Sequence, residues 1–151
     1  MRPAASRRDP IAVVVVEDHD DTREMLRETF EHAGMDVRAC ASAHEALGAV
    51  TERTADVVVT DLRLAGGEAG GAELAATLRN DPTTAGIALL AVSGELEATP
   101  DVVRFVDAYL RKPVDLATLP DLVEALADRV STPPEPRRPR RRRSGVIRAS
   151  R

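Results

Sequence analysis

The sequence is short of several residue types, and each shortage excludes a kind of protein. Aromatic residues make up only 2% of the 151 residues and tryptophan is absent, so alanine, valine and leucine must fill the core. The single cysteine, Cys40, excludes an intramolecular disulfide and argues against a cysteine-based zinc site. We interpret it as a small buried hydrophobic residue. No apolar run approaches the roughly 20 residues that span a membrane.

The N-terminus combines arginines with an apolar run, as signal peptides do. That run, at 11–16, has only six residues and ends in acids, so it provides no adequate hydrophobic region for secretion. An apolar content of 43% is enough for one globular domain at this length. We therefore expect a cytoplasmic protein with one folded domain and no membrane span.

Charge divides the chain into three parts. Residues 10–131 carry 23 acidic and 10 basic residues, a net charge of −13, whereas residues 132–151 carry eight arginines and one glutamate, a net charge of +7. Residues 1–9 add three arginines and one aspartate, a net charge of +2. The C-terminal stretch also has four prolines and no apolar period, so it cannot bury enough surface to order itself. The sequence predicts a flexible N-terminus (1–9), one domain (10–131), and a disordered Arg/Pro-rich tail (132–151) with no output domain.

The tail allows three interpretations that the sequence leaves open. It is a solvated segment that improves solubility, a weak electrostatic contact for nucleic acid or an acidic partner, or a segment that folds back onto the acidic domain.

Strand-like and helix-like patterns alternate through the predicted domain. Strands are predicted at 11–16, 36–41, 55–60, 86–92 and 108–111. Helices are predicted at 21–33, 42–51, 72–79 and 115–130, with a short one starting at Thr99-Pro100. In the last helix, Pro120 either delays the start or kinks the helix. Right-handed crossovers between such strands give a parallel sheet covered on both faces. The sequence therefore predicts an α/β fold with a doubly wound, five-stranded parallel sheet.

Polar residues follow the predicted strands at the point where each strand ends. Glu17 and Asp18 come after the first strand, Asp61 after the third, Ser93 after the fourth and Lys112 after the fifth. Lys112 is the one lysine among 21 basic residues. Ligands of such sheets bind beyond the carboxyl ends of the strands. Three carboxylates, a hydroxyl and an ammonium at one edge predict a Mg²⁺ and phosphoryl-transfer site.

With these motifs in this order, residues 10–130 resemble the receiver domain of two-component response regulators, which has the flavodoxin-like strand order. The resemblance implies that Glu17-Asp18 is the acidic pair that holds Mg²⁺. It implies that Asp61, within VVVTDLRL, is the phosphoacceptor, and that the backbone carbonyl of Arg63 completes the metal shell.

The resemblance also assigns roles after the fourth and fifth strands. Ser93, within LLAVSG, occupies the position of the family's switch hydroxyl, and Tyr109, within DAYLRKP, that of its switch aromatic. Lys112-Pro113 matches the family's Lys-Pro pair, whose peptide bond is usually cis. A histidine kinase or phosphotransfer protein is then the implied donor, and a downstream protein of unknown identity the implied target. The implied function is that of a switch and not of a turnover enzyme.

The sequence departs from the family pattern in the loops. Ala65 stands where the family usually has proline, and the glycine-rich loop at 65–71 is about two residues longer than usual. The stretch 93–112 is about three residues shorter, and the usual Gly-Ala pair before Tyr109 is missing. These departures place in question the helix between the fourth and fifth strands, but they leave the acceptor site intact.

Two alternatives compete with the phosphoacceptor interpretation. Asp18-His-Asp20-Asp-Thr22 fits the nucleophile motif of haloacid-dehalogenase-type phosphatases, which would make Asp18 the nucleophile. That family needs a further strand ending in an acidic pair after its lysine, and only one helix and the tail follow Lys112. The other alternative is an unphosphorylated, receiver-like interaction module, which a failure to bind Mg²⁺ would favour.

Overall fold

The computed structural model describes residues 9–63, 70–94 and 104–131. The predicted tail, residues 1–8 of the predicted flexible N-terminus, the short helix predicted at Thr99-Pro100 and most of the glycine-rich loop lie outside these residues. The described strands are β1 (Ala12–Val16), β2 (Asp36–Cys40), β3 (Val57–Asp61), β4 (Ala88–Ser93) and β5 (Ala108–Arg111), and the helices are α1 (Asp20–His32), α2 (Ala43–Glu52), α3 (Gly70–Asn80) and α4 (Leu119–Ser131).

The five strands form one sheet in the order β2-β1-β3-β4-β5, and every pair is parallel. This arrangement confirms the predicted doubly wound, flavodoxin-like α/β fold. The register sets Asp61 opposite Val92 and Ser93 opposite Arg111, so these strands end at nearly the same level. The residues that follow them are therefore presented along one edge.

The core lies on both faces of the sheet because the central strands are apolar on both sides. One cluster joins β1, β3 and β4 to α1 and α4, and includes Phe30 and Leu119. The other joins the opposite faces of β1, β3 and β4 to α2 and α3, and includes Val50 and Leu74. None of the helices that the structure describes is long and apolar enough to cross a membrane.

Local sequence signals explain where three helices begin or end. The Ser42 hydroxyl accepts the Glu45 N–H (3.1 Å) at the start of α2, as expected for a capping box. After α1, Gly34 has a φ of +83° and its N–H donates to the Glu31 carbonyl, a conformation that favours glycine. Pro120 delays α4, which begins at Leu119 and not near Asp115.

One arginine joins three segments at the amino-terminal side of β4 and β5. The Arg79 guanidinium donates to the backbone carbonyls of Phe105 (2.9 Å), Ala85 (2.7 Å) and Ile87 (2.9 Å), and it pairs with the Asp107 carboxylate. The same carboxylate accepts the N–H of Leu89 in β4 (2.8 Å). Arg79 thereby holds the end of α3, the turn into β4 and the segment leading into β5 together.

Candidate functional site

The carboxyl edge of the sheet brings two acids and the single lysine into direct contact. Glu17 follows β1, Asp61 ends β3 and Lys112 follows β5. The Lys112 Nζ lies 3.2 Å from Glu17 Oε2 and 3.0 Å from Asp61 Oδ2. Residues separated by 95 and 51 positions in the sequence therefore meet in one hydrogen-bonded cluster, as the strand-end pattern predicts.

Glu17 is an almost fully buried carboxylate, with 1% of its surface exposed. Its N–H donates to the Cys40 carbonyl (3.0 Å), and its Oε1 accepts the His19 N–H (3.2 Å). Burial raises the pKa of the Glu17 carboxyl above its ordinary value, even though the His19 N–H and the Lys112 ammonium both favour the charged form. The negative charge here is thus only partly compensated by the protein.

Asp61 is held by hydrogen bonds to both of its carboxylate oxygens. Oδ1 accepts the Arg63 N–H (3.0 Å), while Oδ2 faces Lys112. The Thr60 hydroxyl donates to the Asp61 carbonyl (2.8 Å) from inside the core. With 9% of its surface exposed, Asp61 is buried yet still reachable from the sheet edge. These contacts fix the direction in which its carboxylate points.

Lys112 is fixed by its backbone as well as by its side chain. Its N–H donates to the Ser93 carbonyl (2.9 Å), and its peptide bond to Pro113 is cis. Burial alone would lower the pKa of the Lys112 ammonium, but hydrogen bonds and attraction to Asp61 and Glu17 outweigh burial and raise that pKa. The ammonium is therefore firmly charged at neutral pH.

The remaining predicted residues lie around this cluster. Asp18 is half-buried directly after Glu17, and Ser93 ends β4 with 1% of its surface exposed. Arg63 is exposed, two residues after Asp61. Tyr109 is half-buried and lies opposite Ala91 in the β4–β5 register. It is two residues before Arg111, the last residue of β5, and so lies back from the carboxyl edge of the sheet.

The donor set fits a magnesium ion. Two buried carboxylates, Glu17 and Asp61, share the single ammonium of Lys112, so this buried cluster keeps a net negative charge, and Asp18 follows directly after Glu17. Oxygen donors and a net negative charge are what Mg²⁺ needs from a protein. The carboxylate oxygens of Glu17 and Asp18 and a ring nitrogen of His19 lie within 4.8 Å of one another.

Two residues of this region have no role in the sequence-based prediction. Gly71 lies in α3 against the backbone of β3: its N–H donates to the Leu62 carbonyl (3.2 Å), and a Cβ there would overlap the Asp61 carbonyl oxygen. Arg23 in α1 donates to the Glu17 carbonyl (3.0 Å) and pairs with Asp20. A glycine in the first turn of a helix is a signal for close backbone approach, so the Gly71 contact could have been anticipated. Nothing in the sequence indicates the contact between Arg23 and the Glu17 carbonyl.

Comparison with known proteins adds a family match. The sequence profile of the "Response regulator receiver domain" matches residues 13–124, which include every site residue predicted above. That stretch covers well over half of the 151 residues.

Individual proteins are also similar in sequence to this chain. The transcriptional activator protein PfeR of Pseudomonas aeruginosa is 31% identical over 118 residues, which cover 78% of this chain and 38% of PfeR. This chain thus spans well under half of PfeR. An uncharacterized 14.6 kDa protein in the sodA1 3′ region of Leptolyngbya boryana is 33% identical over 115 residues, covering 74% of this chain and 86% of that protein.

Solved structures show the same fold. A putative response regulator from Chloroflexus aurantiacus superposes with a TM-score of 0.73 and 28% identity, covering 80% of this chain and 99% of that one.

Proposed function

The chain belongs to the receiver-domain family of two-component response regulators, and on that premise we propose that Asp61 accepts a phosphoryl group from a histidine kinase or a phosphotransfer protein. The observation that supports this assignment most directly is the Lys112 ammonium held between Asp61 and Glu17. A cation beside a fixed, buried carboxylate is the arrangement that a phosphoryl acceptor requires.

The proposed step is a displacement at phosphorus. A carboxylate oxygen of Asp61 attacks the phosphorus of a donor phosphohistidine, the N–P bond breaks, and its electron pair stays on the imidazole nitrogen. The product on this chain is an acyl phosphate. We assign one contact with the oxygens of the incoming group to Lys112, whose Nζ lies 3.0 Å from Asp61 Oδ2, and a second contact to the Ser93 hydroxyl.

Magnesium fits this site by the charge and the donor types described above. We assign its ligands to the Asp18 and Asp61 carboxylates and the Arg63 carbonyl, with Glu17 contributing through water. When bound, the ion neutralises negative charge on the phosphoryl oxygens. Glu17 is already fixed by its own backbone and side-chain hydrogen bonds, so its carboxylate needs little rearrangement to serve the metal.

The proposed outcome is a switch that carries information to a partner. Phosphorylation would reposition Ser93, and with it Tyr109 on the neighbouring strand, and so alter a surface that binds a downstream protein. Hydrolysis of the acyl phosphate by water would reset the domain. The chemistry is limited to the domain's own phosphorylation and slow dephosphorylation, so we do not assign a turnover activity.

The two alternatives receive less support. The family match covers the receiver pattern across both halves of the sheet, which disfavours a phosphatase with Asp18 as the nucleophile. An unphosphorylated interaction module would not need Glu17 and Asp61 to be buried around one lysine, because uncompensated buried charge is costly.

Acetyl phosphate provides the direct test. Incubation of the chain with Mg²⁺ and acetyl phosphate should add one phosphoryl mass to the wild type but none to Asp61→Asn. Asp21→Asn, which changes an exposed acid beside the site, should gain the same mass as the wild type. Hydroxylamine should remove the group and leave a hydroxamate on the peptide that contains Asp61. No mass gain in the wild type, together with no Mg²⁺ binding, would overturn the proposal in favour of an interaction module.

A further inference from the structure

His19 places a nitrogen donor at the mouth of the acidic site. The structure gathers the side-chain ligand atoms of Glu17, Asp18 and His19 within 4.8 Å of one another. His19 is exposed, so its ring can turn towards a bound ion without disturbing the packing of the core. Its backbone is not free, because the His19 N–H donates to Glu17 Oε1 and its carbonyl accepts the Arg23 N–H (2.9 Å) in the first turn of α1.

The other histidines lack this setting. His32 ends α1 and His44 lies in the first turn of α2, both exposed. Within the ranges that the structure describes, Glu17, Asp18 and His19 form the one group of three potential ligands that close together. His19 is therefore the histidine that can act together with the carboxylates of the site.

A nitrogen donor changes which ions the site prefers. Mg²⁺ takes oxygen ligands and holds its waters tightly, so an imidazole adds little to its binding. Zn²⁺ binds imidazole nitrogen at about 2.0–2.1 Å, readily in mixed sets with carboxylates. Imidazole is a ligand that suits Zn²⁺, whereas carboxylates, carbonyls and water suit Mg²⁺. An imidazole beside two carboxylates thus widens the preference for Zn²⁺ over Mg²⁺.

We propose that His19 turns the acidic pair into a mixed nitrogen–oxygen site at which Zn²⁺ binds through Glu17 or Asp18 together with His19, and so competes with Mg²⁺. The inference rests on the proposed function in one respect, because the competition regulates phosphorylation only if Mg²⁺ supports transfer to Asp61. Zinc held towards His19 draws Asp18 away from the position that serves the acceptor, so zinc-loaded protein should accept phosphoryl groups more slowly.

The experiment measures metal binding to the full, unphosphorylated chain by calorimetry, with ZnCl₂ and MgCl₂ titrated separately. His19→Phe should weaken Zn²⁺ binding at least tenfold and leave Mg²⁺ binding within twofold of the wild type. His32→Phe, which changes an exposed histidine at the other end of α1, should alter neither. Nitrogen-15 spectra of the imidazoles should show the His19 ring nitrogen shifting with Zn²⁺ but not with Mg²⁺.

The outcomes separate this inference from the proposed function. If His19→Phe leaves Zn²⁺ binding unchanged, or weakens both metals alike, the zinc site is wrong even where Asp61 is phosphorylated normally. If the wild type takes no phosphoryl group but His19→Phe still removes Zn²⁺ binding, the receiver chemistry is wrong and the zinc site stands. His19→Gln, which keeps a polar side chain at this exposed position, should reproduce the His19→Phe result.

Discussion

Gly71 is a residue whose missing side chain positions the acceptor. A Cβ at this position would lie 2.6 Å from Leu62 Cα and closer still to the Asp61 carbonyl oxygen, both of them backbone atoms that cannot rotate away. We expect Gly71→Ala to cost about 2 kcal/mol or more, since overpacking forces a backbone shift. Because the displaced backbone is that of Asp61, phosphorylation by acetyl phosphate should slow as well. Urea unfolding and intact mass measure the two effects.

Gly48 supplies the matched control. It lies in the middle of α2, and a Cβ there would meet no atom within 4 Å. Gly48→Ala should raise the free energy of unfolding by up to about 1 kcal/mol, because alanine is the better helix former. Equal effects of the two substitutions would contradict the close approach of α3 to β3.

Glu17 illustrates how a binding site is maintained at a cost to stability. Its pKa is raised because burial disfavours the charged form, so the ionised carboxylate destabilises the folded state above that raised pKa. Without metal, we expect Glu17→Gln to match the wild type or gain on the order of 1 kcal/mol in urea unfolding. The difference in free energy of unfolding between the two proteins should become smaller as the pH falls through the raised pKa towards 4.5, because the wild-type carboxyl then becomes neutral.

Added Mg²⁺ should make the wild type more stable than Glu17→Gln. An ion that binds the folded state stabilises it in proportion to the logarithm of its concentration. Added Mg²⁺ should therefore raise the melting temperature of the wild type more than that of Glu17→Gln. An identical Mg²⁺ response of both proteins would show that Glu17 takes no part in holding the metal.

At the residue scale, the sequence predicts contacts that topology enforces and misses those that depend on side-chain reach. Glu17, Asp61 and Lys112 meet because each follows or ends a strand of one parallel sheet. Arg23 reaches the Glu17 carbonyl from the next helix. A long side chain bonded to a backbone carbonyl leaves no mark in a sequence pattern, because any residue can offer that carbonyl.

Among the elements, the segment that leads into β5 depends on a single side chain. The Arg79 guanidinium binds three backbone carbonyls and the Asp107 carboxylate. Arg79→Ala should lower the free energy of unfolding by about 2–3 kcal/mol, because several partly buried acceptors lose their donor. Arg79→Lys should recover little, since an ammonium cannot reproduce the planar fork. Urea unfolding measures both.

Arg27 is the control for charge alone. It pairs with Glu24 and Glu31 on the exposed face of α1. Arg27→Ala should change the free energy of unfolding far less than Arg79→Ala does, as surface ion pairs contribute little. If Arg79→Ala and Arg27→Ala have the same small effect, the three segments around Arg79 are held by packing and not by its hydrogen bonds.

Element boundaries follow local chemistry where a specific residue determines them. β5 is predicted at its observed bounds, and the Ser42 cap is confirmed at the start of α2. The start of α4 differs because residues 116–118 form a turn before the helix begins at Leu119. β3 and β4 extend one residue further than the apolar runs suggest. Asp61 and Ser93 are polar, yet the ladder continues through them because both are buried against neighbouring strands.

At the scale of the whole molecule, the chain combines an acidic domain with a basic tail. The net charge of −13 on residues 10–131 opposes the approach of nucleic acid, while the eight arginines of residues 132–151 attract it. We propose that the tail makes a weak, sequence-independent contact with phosphate backbones. Such contacts lose affinity with a slope of about −0.9 in log salt for each phosphate neutralised.

Duplex DNA of arbitrary sequence tests this proposal by anisotropy at several salt concentrations. The full chain should bind with a slope of about −4 to −6, because not every arginine neutralises a phosphate. A chain ending after Ser131 should not bind, since the remaining residues carry a net charge of −11, from +2 on residues 1–9 and −13 on residues 10–131. If the tail instead folds back onto the domain, the full chain will show little DNA binding, and removing the tail will change the salt dependence of unfolding. The positive charge of the tail is known from the sequence, but its partner is not. DNA binding by the full chain indicates an intermolecular contact, and its absence, with a tail-dependent salt effect on unfolding, indicates an intramolecular one.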